Sequence, residues 1–323
     1  MGIISNCTAT AIKDAAAALN KGDLVAFPTE TVYGLGADAT NKNAIARIYK
    51  VKGRPVGHPI IVHISSLTNL DKWARDIPEY AVKLARVFWP GPMTLILPRT
   101  DLAKDFITGG QNNVGIRIPS HTVALALLKH FEDLGGLGVA APSANRFGAV
   151  SPTNASAVEI ELADFLSESD QILDGGPCLF GVESTIINCT QDKPSILRPG
   201  AVTTEMIEDT LGITIELNTL NSKIIQIKAA GLLESHYAPK AKVFLTGTPT
   251  LGDGFIAPDS FATPAGALRL ASPKTSEEYA RVLYEAFRMA DIKGLKRVFV
   301  IPPIGEGIGV AINDRLSKSA FEK

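Results

Sequence analysis

The chain has 323 residues, of which 46% are hydrophobic and 20% charged, and its formal net charge is -1. This composition is typical of a globular protein and excludes the disordered and fibrous classes, while the length favours two domains. A net charge so close to zero provides no general attraction for polyanions, so we expect no stable binding of nucleic acid.

Short apolar runs alternate with amphipathic stretches through the first two thirds of the chain. The apolar runs predict strands at residues 24–27, 60–63, 94–97, 114–118, 139–141 and 184–188. The amphipathic stretches predict helices at residues 43–49, 79–88, 122–131 and 154–166. Some of these strands follow each other too closely for helical crossovers. The pattern therefore predicts an α/β domain with a twisted mixed sheet and surrounding helices.

The pattern dissolves between residues 218 and 240, where Gly231, Ser235 and Pro239 occur, and this stretch is predicted to be a linker. A new strand begins near Val243, and the later elements predict a small Rossmann-like α/β domain. They are a helix at 276–291, a strand at 297–301 and a helix at 310–318. We expect domains at 1–217 and 241–323. The GEGIG stretch at 305–309 does not match the dinucleotide fingerprint.

The cysteine and hydropathy patterns argue against secretion and membrane insertion. Cys7, Cys178 and Cys189 are odd in number and lack the paired short spacing of a zinc site. No apolar run reaches the roughly eighteen residues of a membrane span, and no basic region precedes an apolar N-terminal stretch. We therefore expect a cytoplasmic protein without a metal cage and without a membrane partner.

Residues 28–36, PTETVYGLG, follow a predicted buried strand, where α/β proteins place ligand-binding groups. The segment holds two threonine hydroxyls and a glutamate carboxylate. The alternative interpretation is a polar turn whose glycines satisfy positive φ angles.

Four cations, Arg47, Lys50, Lys52 and Arg54, occur close together where a predicted helix ends. A helix C-terminus attracts cations through the macrodipole, and this explains about two of the four. Lys52 and Arg54 are predicted to lie beyond the helix, in a turn where Gly53 allows close backbone approach. Such a turn is suited to a triphosphate. The segment is not a P-loop, because the Gly-x-x-x-x-Gly-Lys-Ser/Thr pattern is missing.

Isolated polar residues follow the other predicted strands. Arg117 interrupts an apolar run before Pro119, and a single cation there is a reasonable anchor for a carboxylate. Residues 141–145, APSAN, offer small hydroxyl and amide groups that suit phosphate or sugar. Thr153 and Asn154 are interpreted as capping residues of the following helix.

These segments together resemble the threonylcarbamoyl-AMP synthase family of the YrdC type. The matching stretches are PTETVYGLG, KGRP, HPIIVH, WPGPMTLIL, VGIRIPSH, APSANRFGAVSPT, DGGPCLFGVESTI and ILRPGAV, in this order between residues 24 and 202. The sequence His236-Tyr237-Ala238-Pro239 resembles the linker of the longer family members. The resemblance implies the two-domain form, with a C-terminal Rossmann-like domain.

The resemblance implies a nucleotidyltransferase that makes L-threonylcarbamoyladenylate and pyrophosphate from L-threonine, bicarbonate and ATP with Mg2+. The product serves threonylcarbamoyladenosine formation in tRNAs that read codons beginning with A, through downstream threonylcarbamoyl transferase proteins. The implied catalytic residues are Lys52 and Arg54. The implied threonine-binding residues are Thr31, His63, Arg117, Ala141 and Ser184. The implied ATP-binding residues are Lys50, Arg54, His58, Asn113, Ser143, Asn145, Ser151, Arg198 and Tyr237.

The residue types agree with such chemistry, because every reactant is anionic and cations must reduce the repulsion between them. No protein nucleophile is required, and no convincing Ser-His-Asp or Cys-His set occurs. Two other functions remain open: an RNA-binding protein that uses a basic concave surface, and a carbamoyltransferase module like that of hydrogenase-maturation proteins. The second normally carries zinc-binding cysteine pairs and an acylphosphatase region.

Tyr237 supports two interpretations. The linker segment 236–239 could act as a lid over ATP, with the tyrosine ring covering the base-like surface and its hydroxyl bonding an oxygen. Alternatively, Tyr237 simply packs the two domains together.

Overall fold

A computed structural model describes residues 3–215, 227–228, 231 and 237–320. These residues form a ten-stranded sheet and, after it in the chain, a four-stranded sheet. Most of the predicted linker, including His236, lies outside the described residues. Among the residues described, no helix is long and apolar enough to cross a membrane.

The large sheet is mixed, as predicted. Its strands are β1 (Ile3–Asn6), β2 (Val25–Phe27), β3 (Gly34–Asp38), β4 (Val62–His63), β5 (Met93–Pro98), β6 (Asn113–Arg117), β7 (Val139–Ala140), β8 (Gln171–Asp174), β9 (Thr185–Asn188) and β10 (Ser195–Arg198). They lie in the order β1-β8-β2-β3-β7-β4-β6-β5-β9-β10. The sheet contains both parallel pairs, such as β4 with β6, and antiparallel pairs, such as β5 with β6.

Helices cover the sheet and bury two apolar clusters against it. They are α1 (Ala9–Lys21), α2 (Lys42–Lys52), α3 (Leu70–Trp73), α4 (Glu79–Phe88), α5 (Asp105–Thr108), α6 (Thr122–Asp133), α7 (Ala155–Leu162) and α8 (Thr204–Leu211). Asn154 caps α7 by accepting a hydrogen bond from the Ala157 N–H, which confirms its predicted capping role. The helix predicted over 154–166 is shorter in the structure: the α-helix ends at Leu162, and a 3-10 turn at Ala163–Phe165 follows it.

Strand β3 corrects the interpretation of residues 34–36 as part of a polar turn. It pairs antiparallel with both β2 and β7. A Cβ at Gly36 would lie 2.8 Å from side-chain atoms of both Phe27 and Val139. Glycine is therefore required by close packing inside the sheet, and not by a turn.

The small sheet is entirely parallel, as expected of a Rossmann-like domain. Its elements are β11 (Lys242–Phe244), β12 (Gly254–Ile256), β13 (Leu268–Ala271), α9 (Ser276–Ile292), β14 (Arg297–Val300) and α10 (Ile308–Ala320), with sheet order β11-β14-β12-β13. The apolar cluster under α9 and α10 also includes Val32, Val150 and Val182 of the first domain. The two domains therefore share one apolar core.

Candidate active site

A pocket lies where β2, β4, β6 and β7 end and where β9 begins, and the C-terminal end of α2 and Tyr237 close its sides. Its lining includes most residues that the resemblance implied: Thr31, Lys52, Arg54, His63, Arg117, Ala141, Ser143, Asn145, Ser184, Arg198 and Tyr237. Their positions in the chain extend from the first domain to the linker. The fold thus brings groups that are distant in sequence to one cavity.

The basic segment divides into two pairs with different surroundings. Arg47 forms an ion pair with Asp170 at 2.6 Å, and Lys50 is exposed on α2, outside the pocket lining. Lys52 and Arg54 are buried and line the pocket. Helix α2 continues through Lys52 to Gly53, which has a φ of +60°. The prediction that Lys52 lies beyond the helix is therefore wrong, because Lys52 is the last helical residue and the left-handed cap is the next residue, Gly53.

Lys52 holds the loop that follows β7. Its Nζ donates to the carbonyl of Ser143 at 2.6 Å and to the carbonyl of Asn145. Burial and then the charge of Arg54 lower the pKa of Lys52 well below its usual value. An anionic ligand beside Lys52 would raise this pKa again and favour the ammonium form.

Arg54 makes fewer described hydrogen bonds to the protein than Lys52 does. Its Nη2 donates to the carbonyl of Pro59 at 3.0 Å, and its guanidinium lies 5.9 Å from the centre of the Phe147 ring. Within the described residues, its buried Nε has no hydrogen-bond partner. A buried guanidinium with an unmet donor is suited to an anionic ligand.

Arg117 enters the pocket from the end of β6 beside Glu30. Its Nη2 lies 2.6 Å from Oε1 of Glu30, and its Nε donates to the Gly91 carbonyl. Glu30 also accepts from the Ser120 N–H at 3.0 Å, so the carboxylate fixes the guanidinium in one orientation. The sequence pattern assigned no role to Glu30, although its carboxylate lies within the segment 28–36 that was predicted to bind a ligand.

Small hydroxyl groups line the same end of the pocket. Thr31 is hydrogen-bonded to Thr29 at 2.8 Å, and Ser184 to Thr94 at 2.8 Å. Arg198 donates through Nη2 to the Ser184 carbonyl at 2.9 Å and to its hydroxyl at 3.1 Å. These contacts define the rotamers of the hydroxyls that face the cavity.

His63 is the last residue of β4 and also lines the pocket. Burial, and then the charge of Arg117, lower the pKa of His63 to about 3. The imidazole is therefore neutral at any ordinary working pH, and it adds no positive charge to the Arg117 end of the pocket.

Glu183 is a buried carboxylate in the pocket wall that sequence reasoning left without a role. It accepts from Ser151 Oγ at 2.6 Å, from the Tyr284 hydroxyl at 3.0 Å and from Arg315 Nε at 2.8 Å. Burial alone would raise the pKa of Glu183, but Arg315, Arg198 and the Ser151 hydroxyl lower it to about 2. Glu183 is thus ionised.

The packing interpretation of Tyr237 is confirmed, and its role as a lid over ATP stays a prediction. Tyr237 lines the pocket, and it also packs between the domains, with its ring stacked on Tyr284 at 5.9 Å and under the Arg315 guanidinium at 5.2 Å. Burial, and then Glu183, raise its pKa to about 12, so the hydroxyl stays protonated.

Four residues of the implied ATP set lie outside the lining: Lys50, His58, Asn113 and Ser151. The His58 ring contacts Phe147 at 5.5 Å. Asn113 begins β6 and borders a separate groove with Gln111 and Lys228. Ser151 is buried and donates its hydroxyl hydrogen bond to Glu183, which is in the lining, at 2.6 Å.

Comparisons with known proteins agree with this architecture. A family model for Sua5, YciO and YrdC, described as "Telomere recombination", matches residues 17–200, and one described as "Threonylcarbamoyl-AMP synthase, C-terminal domain" matches residues 202–321. Relatives named threonylcarbamoyl-AMP synthase include one from Pyrococcus abyssi, 38% identical over 96% of this chain and 94% of the relative. Another, from Bacillus subtilis, is 38% identical over 96% of this chain and 92% of the relative.

A solved structure has the same fold over both domains. P. abyssi Sua5 complexed with L-threonine is 37% identical, with a TM-score of 0.88, and the match covers 98% of this chain and 97% of that chain. The family resemblance that the sequence motifs indicated is confirmed.

Proposed function

Because the chain belongs to the Sua5, YciO and YrdC family and carries the C-terminal domain of threonylcarbamoyl-AMP synthases, we propose that it joins L-threonine, bicarbonate and ATP. The products are L-threonylcarbamoyladenylate and pyrophosphate, so the protein is a nucleotidyltransferase. The observation that carries the proposal is the division of one buried pocket into two cationic ends, Arg117 at one and Lys52 with Arg54 at the other.

The Arg117 end suits L-threonine. Glu30 holds the guanidinium in place, and a substrate carboxylate would complete its hydrogen bonding as a second anion. Thr31 and Ser184 supply hydroxyls for the substrate's own hydroxyl and amine. Neutral His63 and Ala141 supply a less polar surface for its methyl group. A P. abyssi relative that is 37% identical has been solved in complex with L-threonine, which supports threonine as the substrate.

The end with Lys52 and Arg54 suits the phosphates of ATP. Arg54 has a donor without a partner among the described residues, Lys52 fixes the Ser143–Asn145 loop, and Arg198 donates to Ser184. Tyr237 closes this side and would exclude water from a labile product. Lys50, His58, Asn113 and Ser151 remain predicted contributors at or beyond the edge of the site.

The reaction needs positioning and charge neutralisation more than protein nucleophiles. The threonine amine loses its proton and captures carbon dioxide derived from bicarbonate, and the resulting carbamate oxygen attacks the α-phosphorus of ATP. The bond to the β-phosphate bridging oxygen breaks, and pyrophosphate leaves. Arg54, Lys52 and Arg198 would stabilise the negative charge that develops, while Arg117 keeps the amine end aligned.

Mg2+ is proposed as part of the ATP substrate. Among the residues that the structure describes, no group of three or more His, Cys, Asp or Glu side chains could hold a metal ion. Glu183 is the carboxylate in the lining, and Arg315 already neutralises it. The ion would therefore be held mainly by phosphate oxygens and water, as is usual for Mg2+, and it would supply further charge neutralisation.

The product is proposed to serve threonylcarbamoyladenosine formation in tRNAs reading codons that begin with A. A separate threonylcarbamoyl transferase would consume the adenylate, and the chain itself would not bind tRNA stably. A cytoplasmic location fits this role.

The test is pyrophosphate release by the full-length protein with Mg2+, ATP and bicarbonate. We expect strong stimulation by threonine, weaker stimulation by serine and little release without an amino acid. Omission of bicarbonate or Mg2+ should abolish the threonine-dependent release. Equally fast ATP hydrolysis with and without threonine would contradict the proposal.

A further inference from the structure

The second domain reaches the pocket through the shared core. Tyr284 on α9 and Arg315 on α10 are fully buried beside Val182 and Val150 of the first domain. Both side chains project toward the carboxylate of Glu183 in the pocket wall. Two of its three described donors therefore come from the second domain, and the third is Ser151.

Arg315 is itself held by neighbours on α10. Its Nη1 lies 2.6 Å from Oδ2 of Asp314, and Lys318 donates to the same Asp314 oxygen at 2.9 Å. Lys318 also donates to the carbonyl of Gly231 in the linker at 2.9 Å. One side of α10 thus contacts the pocket carboxylate and a linker residue that lines the same pocket.

We propose that Arg315 is a positioning residue for the reaction: from the second domain, it fixes Glu183 in the pocket wall and thereby orders Ser151, Ser184 and Tyr237. The inference rests on the proposed function. Ser151 donates to the same carboxylate, Ser184 is the next residue in the chain, and the Tyr237 ring packs under the Arg315 guanidinium. Synthesis would then depend on how the second domain is seated on the first.

The charges around Glu183 make this dependence strong. Arg315 and Arg198 face the carboxylate with opposite charge, Asp314 faces Arg315, and Tyr284 and Tyr237 are protonated at ordinary pH. A buried carboxylate that loses one guanidinium either takes up a proton or moves toward its remaining cation, Arg198. Either response would disturb Ser184, because Arg198 donates to both its carbonyl and its hydroxyl.

The test compares Arg315→Met with the unchanged full-length protein in threonine-dependent pyrophosphate release. We expect kcat/KM for ATP to fall on the order of tenfold to hundredfold, as for other misplaced groups near a reacting centre. Because the pKa of Glu183 rises without Arg315, activity should also fall as the pH drops through that raised pKa. The unchanged protein should lack this acid limb, since its Glu183 ionises at about 2. Arg315→Lys should restore part of both properties.

Two further variants separate positioning from stability. Glu183→Gln combined with Arg315→Met has no carboxylate to titrate, so it should lose the added acid limb. Arg288→Met is the control for loss of a buried arginine between the domains: Arg288 contacts Glu161 and the backbone carbonyls of Val150 and Ser151, each at 3.4 Å, and among the described residues it makes no contact with the Glu183 carboxylate. Arg288→Met should lower the free energy of unfolding, but it should not add the fall of activity at low pH that is expected for Arg315→Met.

If Arg315→Met does not fold, Tyr284→Phe keeps the ring and removes one donor to Glu183, and it should give a smaller shift in the same direction. Unchanged pH profiles and unchanged ATP kinetics in the folded variants would overturn the inference. If the unchanged protein shows no threonine-dependent release at all, the proposed function fails instead.

Discussion

Lys52 and Arg54 are two residues apart, yet their surroundings predict different consequences of substitution. Lys52→Met removes the donor to two backbone carbonyls, the buried one of Asn145 and the partly buried one of Ser143. Arg54→Met removes one described hydrogen bond, to the carbonyl of Pro59. Methionine keeps the unbranched apolar stem of both side chains and removes their charged ends, including the Arg54 guanidinium near Phe147.

A buried carbonyl left without a donor costs about 1–3 kcal/mol, so Lys52→Met should lower the free energy of unfolding by about 2–6 kcal/mol. Arg54→Met should lower it by about 1–3 kcal/mol by the same reasoning. Both should reduce turnover on the order of a hundredfold or more, because each removes charge at the phosphates. Lys52→Met should thus destabilise the protein about twice as much as Arg54→Met, because it leaves two carbonyls without a donor and Arg54→Met leaves one, while both reduce the rate.

Urea unfolding gives the stability difference, and pyrophosphate release measured on the folded fraction gives the rate difference. Equal destabilisation by the two substitutions would refute the assignment of Lys52 as the anchor of the 143–145 loop. Near-normal turnover in both variants would mean that Lys52 and Arg54 support the structure of the pocket wall and do not act on ATP.

Three other predictions concern ATP, threonine and the linker. The pKa of Lys52 is lowered in the free protein and should rise beside the phosphates, so ATP binding should be accompanied by proton uptake at pH values between these two pKa values. Calorimetry in buffers of different ionisation enthalpy measures this uptake. Zero uptake across that pH range would contradict the prediction. Valine should be a poorer substrate than serine, because a missing methyl costs about ten- to two-hundredfold and an unpaired buried polar group costs more; comparable valine and threonine rates would argue against hydroxyl recognition. Tyr237→Phe retains the stacking on Tyr284, so it should keep the melting temperature but weaken coupling of ATP use to synthesis. Full ATP affinity and tight coupling would show that the Tyr237 hydroxyl has no part in a lid.

The sequence predicted best where one strand end carries one distinctive group. Arg117 interrupts an apolar run, which predicted a buried strand carrying one cation. The structure has this strand as β6, and Arg117 at its end lines the pocket. Strand β3 was harder to predict, since Gly34 and Gly36 lower strand propensity, while close packing against Phe27 and Val139 requires glycine at position 36. Short strands with polar ends, such as β8 at Gln171–Asp174, give too little periodicity to be recognised.

Pairings between the domains were beyond sequence reasoning. Glu183 and Arg315 are 132 residues apart, and neither local propensity nor spacing connects them. Within the basic segment, charge alone did not separate exposed Lys50 from buried Lys52, because that depends on where Gly53 ends the helix. The sequence motifs identified the wall of the pocket from the first domain, but not its support from the second.

In the proposed reaction threonine reacts as its carbamate, and labelled bicarbonate shows whether the carbamate carbon enters the product. The full-length protein would be incubated with threonine, ATP, Mg2+ and 13C-bicarbonate, and the adenylate would be analysed by mass spectrometry. We predict an adenylate that contains threonine and a single 13C atom, formed together with pyrophosphate. An unlabelled threonyl-adenylate, or AMP formed without any threonine adduct, would contradict the account.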